Sequence, residues 1–357
     1  MVKPAAYHLR LNKAVDRFQL IDILRCFTKE ELGKYLYVGL GGPFLEDFKL
    51  LDNFCPSLKK VSFEYDEQTF KRQKFNKPNR FVRLEYGDVI EGITTLVDND
   101  QPMVVWFDST QGLSQIVEGF IKVLGVVPDC SIVRVTMRIA RKDDVQRRRL
   151  IESLTGALQG HLELVNIGED ERMQLAQDVE RIVCERVENV MQSHRELQSI
   201  LHYLPSNWRK TVEKPNGMVR VLLEAIHNAV IELYPPNCGR RFRLLDASYY
   251  SDGTRMLSVT GALVSDGNEG AFMDHFKGTH FAVAKWTDEP QQIDMPVLTP
   301  KERLHLNSIV PVKRDPGSRL CGRLGFQVDT DAATSKAEME MYNKFFRYYP
   351  MFARVAL

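Results

Sequence analysis

Four short runs in this 357-residue chain carry residues whose type and spacing could do chemistry. The first is Gly39-Leu40-Gly41-Gly42-Pro43, directly after the apolar run KYLYV. Glycines at a strand end let the backbone approach a ligand closely and expose N–H groups at the start of a helix. The same residues would also serve a tight strand-to-helix turn with no ligand. The second run, VSFEYD, sets Glu64 at a strand end and Asp66 two residues on. A carboxylate there can accept hydrogen bonds from both hydroxyls of a ribose, while Asp66 also suits a helix cap. The third, Tyr86-Gly87-Asp88-Val89, offers Asp88 as an acceptor for the exocyclic amine of an adenine, or again as an N-cap. The fourth, WFDST, brings Asp108, Ser109 and Thr110 to the end of an apolar strand. A carboxylate abutting so many apolar residues is costly unless it is hydrogen-bonded or used. Asp108 is therefore the candidate catalytic group, able to orient or deprotonate a nucleophile, with Ser109 and Thr110 as candidate substrate contacts.

A basic stretch follows the fifth apolar run: Arg138, Arg141, Lys142 and then Arg147, Arg148 and Arg149. Arg138 and Arg141 are candidate contacts to a phosphate or carboxylate on a substrate. The same charges fit a solvated helix face paired with Asp143, Asp144 and Glu152.

The elements that must position these groups alternate along the chain. Helical periodicity over 12–28 precedes a strand at 34–42, a helix at 44–54, a strand at 60–65 and a helix at 66–76. Strands at 80–84, 103–107 and 131–139 follow, with helices between them. Such alternation implies right-handed βαβ units and a doubly wound parallel sheet, which binds ligands beyond the carboxyl ends of its strands. Helical patterning then dominates 144–234, and strand patterning returns at 241–265 as a hairpin turning at Ser251-Asp252-Gly253. HFAVAKW reads as one more strand, and the tail as an aromatic helix. The expected organisation is a helical segment at 1–33 and a core at 34–143. A helical insertion at 144–236, a hairpin with an extra strand at 237–290, and a tail at 291–357 complete it.

Forty-eight basic and forty-seven acidic residues give a net charge of +1, which argues against non-specific coating of nucleic acid but leaves room for a local basic patch. Six scattered cysteines show no Cys-x-x-Cys spacing, so no zinc site is expected, and reduced thiols in a cytoplasmic protein are the simpler reading. No run suits a signal peptide or a membrane span.

The order of the four runs resembles that of the class I S-adenosylmethionine-dependent methyltransferases. More narrowly, LRLNKAVDRF, YVGLGGPFLEDF and FEYDEQTFKRQKFNKP resemble a family of bacterial O-methyltransferases. The resemblance implies an α/β fold: a Rossmann-like methyltransferase sheet, mostly parallel with a terminal antiparallel hairpin, plus the helical insertion. It implies S-adenosylmethionine as cofactor, with its methionine part at Gly39, Gly41 and Gly42, its ribose at Glu64, its adenine at Asp88, and substrate beside Asp108. Tyr37 stands where the family usually has an acid, and Pro43 where a third glycine is usual.

Methyl transfer to an oxygen or nitrogen is the expected function, with no metal. One alternative is a catalytically weak or inactive protein of this fold that binds cofactor or a partner within an assembly. An NAD-dependent oxidoreductase is disfavoured by Phe44, where the dinucleotide fingerprint wants glycine. The acceptor can be a small molecule, a protein or a nucleic acid. The helical insertion is expected to form a lid, or to mediate self-association or docking of another protein.

Overall fold

A computed structural model describes residues 10–97, 100–109, 111–139, 197–212 and 214–350. Five parallel strands come first: β1 (Leu36–Gly39), β2 (Lys59–Glu64), β3 (Val82–Tyr86), β4 (Met103–Asp108) and β5 (Ser131–Arg138). The hairpin β6 (Arg240–Ser251) and β7 (Arg255–Ser265) joins them with β7 antiparallel to β5, and β8 (Gln291–Ile293) lies parallel to β6. The sheet order is β3-β2-β1-β4-β5-β7-β6-β8. This is the mostly parallel Rossmann-like sheet with a terminal antiparallel hairpin.

Residues Met103 to Phe107 of β4 are all buried, because this central strand is covered on both faces. One face carries α5 (Val89–Leu96), α6 (Leu113–Val126) and α8 (Gly217–Leu233), with the short α7 (Trp208–Val212) beside them. The other carries α1 (Leu11–Leu24), α2 (Lys29–Leu32), α3 (Glu46–Phe54) and α9 (Glu269–Asp274). The remaining helix on the β2–β3 connection is α4 (Glu67–Asn76). A third apolar cluster joins α10 (Pro300–Asn307), α11 (Pro316–Leu324) and α12 (Ala332–Phe345) to β8, Val15 and Tyr250.

Two sequence expectations change. HFAVAKW contains a 3₁₀ turn at His280–Val283, and the extra strand is β8, which begins at Gln291. Phe281 of that turn is buried with Phe272 and Phe276, so an apolar run mimics a strand while serving a short aromatic cluster. The helical block divides. Its described end, α8, buries Val221, Leu222, Leu223 and Ile226 in the main core and packs on α6, as the crossover helix that leads from β5 toward β6. Residues 144–196 of the expected insertion, like Thr110 and Arg141, lie outside the described residues. Among the described residues no helix is long and apolar enough to cross a membrane.

Candidate functional site

A cleft of about 770 Å³ opens at the carboxyl ends of β1, β2 and β4. Its first wall is the glycine turn. Gly41 and Gly42 have φ of +63° and +53°, and a Cβ on Gly41 would meet Leu45, Phe48 and Ser62 at 2.6–2.8 Å. A Cβ on Gly42 would meet nothing within 4 Å, so this residue faces open space. The turn is held from α4. Buried Gln73 donates to the carbonyls of Leu40 and Gly42, each at 2.9 Å, and Asn76 donates to that of Pro43 at 2.8 Å. Gly39 lies below the turn, with the Tyr37 hydroxyl against it.

The second wall is the end of β2. Glu64 lines the cleft and accepts a hydrogen bond from the Asp66 amide at 2.9 Å. Burial raises its carboxyl pKa above the ordinary value of 4.5. Asp66 caps α4 by accepting from the Thr69 amide. Asp88 is placed apart: it caps α5, accepting from the amides of Ile90 and Glu91, and does not line the cleft.

The third wall comes from α1, which sequence reading passed over as a plain amphipathic helix. Arg10, Lys13 and Arg17 recur at helical spacing and all line the cleft. Lys13 Nζ donates to Asp108 Oδ2 at 2.8 Å and lies 4.6 Å over the Trp106 ring. Burial opposes the charge on Lys13, but Asp108 foremost, with Asp16 and Asp47, outweighs it and holds the ammonium above the ordinary lysine range. One turn on, Arg17 pairs with Asp47 at the start of α3. Beneath them buried Arg134 of β5 bonds Asp16, whose carboxyl is held below its ordinary range by Arg134 and Lys13 against the cost of burial. The helix is fixed by the hairpin turn: Asp252 accepts from the amides of Asn12 and Lys13 at 3.2 and 2.8 Å. The cation spacing in LRLNKAVDRF was the available signal; the partners were not.

Tyr37 fills the floor between these pairs. Its ring meets Phe48 edge-on at 5.2 Å, and burial keeps its hydroxyl protonated far above the tyrosine range. Ser109 lines the lip beside Asp108, and its Oγ accepts from the Gln111 amide at 3.2 Å. Arg138, exposed at the end of β5, lines the opposite rim with Met256. The structure thus brings together Gly41, Gly42, Glu64, Asp108, Ser109 and Arg138.

Residues 5–357 match the model of a family described as "Putative O-methyltransferase". The chain belongs to that family. This methyltransferase is also similar in fold to solved structures at low identity. One is described as a putative caffeoyl-CoA O-methyltransferase from Staphylococcus aureus. It is 10% identical, with 69% of this chain and 83% of that chain covered and a TM-score of 0.32. Another is described as a putative O-methyltransferase from Klebsiella pneumoniae. It is 10% identical, with 70% and 80% covered and a TM-score of 0.33. No curated protein matches the methyltransferase.

Proposed function

We propose that this methyltransferase uses S-adenosylmethionine to methylate an oxygen or nitrogen of its acceptor. The observation that carries the reading is the glycine turn. Gly41 has no room for a side chain, Gly42 opens onto the cleft, and Glu64 stands on the neighbouring strand end. A cleft of this size suits a nucleoside with an amino-acid arm. The residues present fit that group. Glu64 would accept the ribose hydroxyls, and the turn would admit the methionine arm. Tyr37 is neutral, so the charges that can meet the arm's carboxylate and ammonium come from Arg17 and Asp47. Asp88 is proposed for the adenine through its position after β3, with Oδ1 engaged by α5.

When bound, the cofactor supplies an electrophilic methyl on a sulfonium, whose departing thioether needs no acid. The protein's part is then to position the acceptor and exclude water. Asp108 is ion-paired to Lys13 through Oδ2, and this fixed geometry favours an orienting role. It would accept a hydrogen bond from the acceptor's O–H or N–H, with Ser109 beside it. Arg138 would meet an anionic group on the acceptor.

Calorimetric titration with S-adenosylmethionine, S-adenosylhomocysteine and NAD tests the reading. Binding of the first two and not of NAD is expected. Binding of NAD alone, or of none of the three, overturns it. Binding without transfer to any acceptor would favour a cofactor-dependent interaction module instead.

A further inference from the structure

A local departure from the chain's charge balance lies beside the cleft. Residues 70–86 hold six cations, Lys71, Arg72, Lys74, Lys77, Arg80 and Arg83, and one carboxylate, Glu85, in a protein of net charge +1. All six cations are exposed. Lys71, Arg72 and Lys74 lie on α4, Lys77 and Arg80 on the loop that follows it, and Arg83 on β3, an edge strand of the sheet. Cations on an edge strand guard against pairing with another sheet, but that does not account for the aromatics among them. Phe75 is 90% exposed, Phe81 69% and Tyr86 58%. Exposed rings on an edge invite association, so a purely protective edge would not carry them.

The chain's path sets these side chains out in order. It leaves the cleft along α4 and returns along β3, so Phe70 near the start of α4 meets Tyr86 at the end of β3, ring centroids 5.4 Å apart. Phe75 and Phe81 fall near the opposite end of the same pair of elements. Cations sit over the rings: Lys74 is 4.4 Å from Phe70 and Arg80 is 5.1 Å from Phe81. The surface runs into the cleft, because Tyr65 and Thr69 line it and Arg72 lies 4.7 Å over Phe44, which also lines it.

We propose that this α4–β3 edge is a docking surface for single-stranded nucleic acid, with phosphates on its lysines and arginines and unstacked bases on Phe75, Phe81 and Tyr86. Phosphates match the charge, and only a single strand presents base faces to separated rings. The inference stands on the charge and exposure of this surface and not on the cofactor reading.

Fluorescence anisotropy of the intact protein with labelled oligouridylate and oligothymidylate of about 12 nucleotides, within the usual span of such sites, tests it. Binding of either strand more tightly than of a duplex of equal length is expected, weakening as salt rises. Replacing all three rings (Phe75→Ala, Phe81→Ala, Tyr86→Ala) should weaken it about tenfold or more. Lys74→Glu with Lys77→Glu should weaken it and flatten its salt dependence. All five positions are exposed, so an unchanged melting temperature is the control. No binding to either strand, equal binding to the duplex, or unchanged affinity in the triple alanine variant would overturn the proposal. So would binding to phosphatidylserine vesicles in place of the oligonucleotides.

Discussion

Lys13 and Asp108 meet across 94 intervening residues, with Nζ and Oδ2 2.8 Å apart and the lysine side chain buried. The pair ties α1 to the end of β4 and sets the charge at that lip of the cleft. Lys13→Met should strand Asp108 and leave Asp16 with Arg134 alone, at a cost of about 3 kcal/mol, the low end for a buried pair because Asp108 is partly open to solvent. Adding Asp108→Asn should recover part of the loss. Urea denaturation of the single and double variants would check this, and an additive double variant would deny the coupling.

Gly41 and Gly42 are adjacent and both left-handed, yet alanine should affect them differently. Gly41→Ala adds a methyl against Leu45, Phe48 and Ser62 as well as backbone strain, together about 2–5 kcal/mol. Gly42→Ala meets open space and should cost about 1–2 kcal/mol of strain alone. Thermal melts would rank them; equal losses would mean that the turn relaxes around Gly41.

Cofactor affinity should depend on the ionisation of Glu64. Ribose hydroxyls donate to a carboxylate, and burial has raised this one, so S-adenosylhomocysteine binding should fall as pH drops through a range above 4.5. Glu64→Gln should weaken binding and remove that pH dependence. Asp88→Asn keeps a capping side chain for α5. Its melting temperature should therefore hold, while affinity falls by about 1–3 kcal/mol if it meets the adenine. Titrations across pH would separate the two roles, and unchanged affinity in Asp88→Asn would remove the adenine assignment.

Asp246, beside the β-bulge after Leu244, is buried with one oxygen lacking a hydrogen bond. Burial raises its pKa, and the nearby Arg134 offsets this only in part. A folded value above the unfolded one means that stability is full below the ordinary 3.8 and is lost as pH rises through the raised value. Asp246→Asn removes that loss. Its melting temperature should exceed that of the parent at neutral pH, and the gain should vanish near about pH 4. A constant difference at every pH would show that packing, not ionisation, sets the effect.

Local order along the chain was enough to read β1 to β5, the hairpin and the glycine turn, because each rests on short-range patterns of burial and turn chemistry. Glu64 and Asp108 were legible for the same reason, as carboxylates where buried strands end. HFAVAKW misled because an apolar run does not say whether it meets a sheet or a ring cluster. The sequence pointed to a lid or an interface for the 144–236 block, yet its last described helix, α8, packs in the main core against α6; which helix shields which face is a matter of three-dimensional layering. Nor could the sequence pair Lys13 with Asp108, Arg17 with Asp47, or Arg134 with Asp16. Each cation had dozens of carboxylates to choose from. Only the docking of α1 across the strand ends, fixed by Asp252 from the far hairpin, brought these partners within reach and decided which charges the cleft presents.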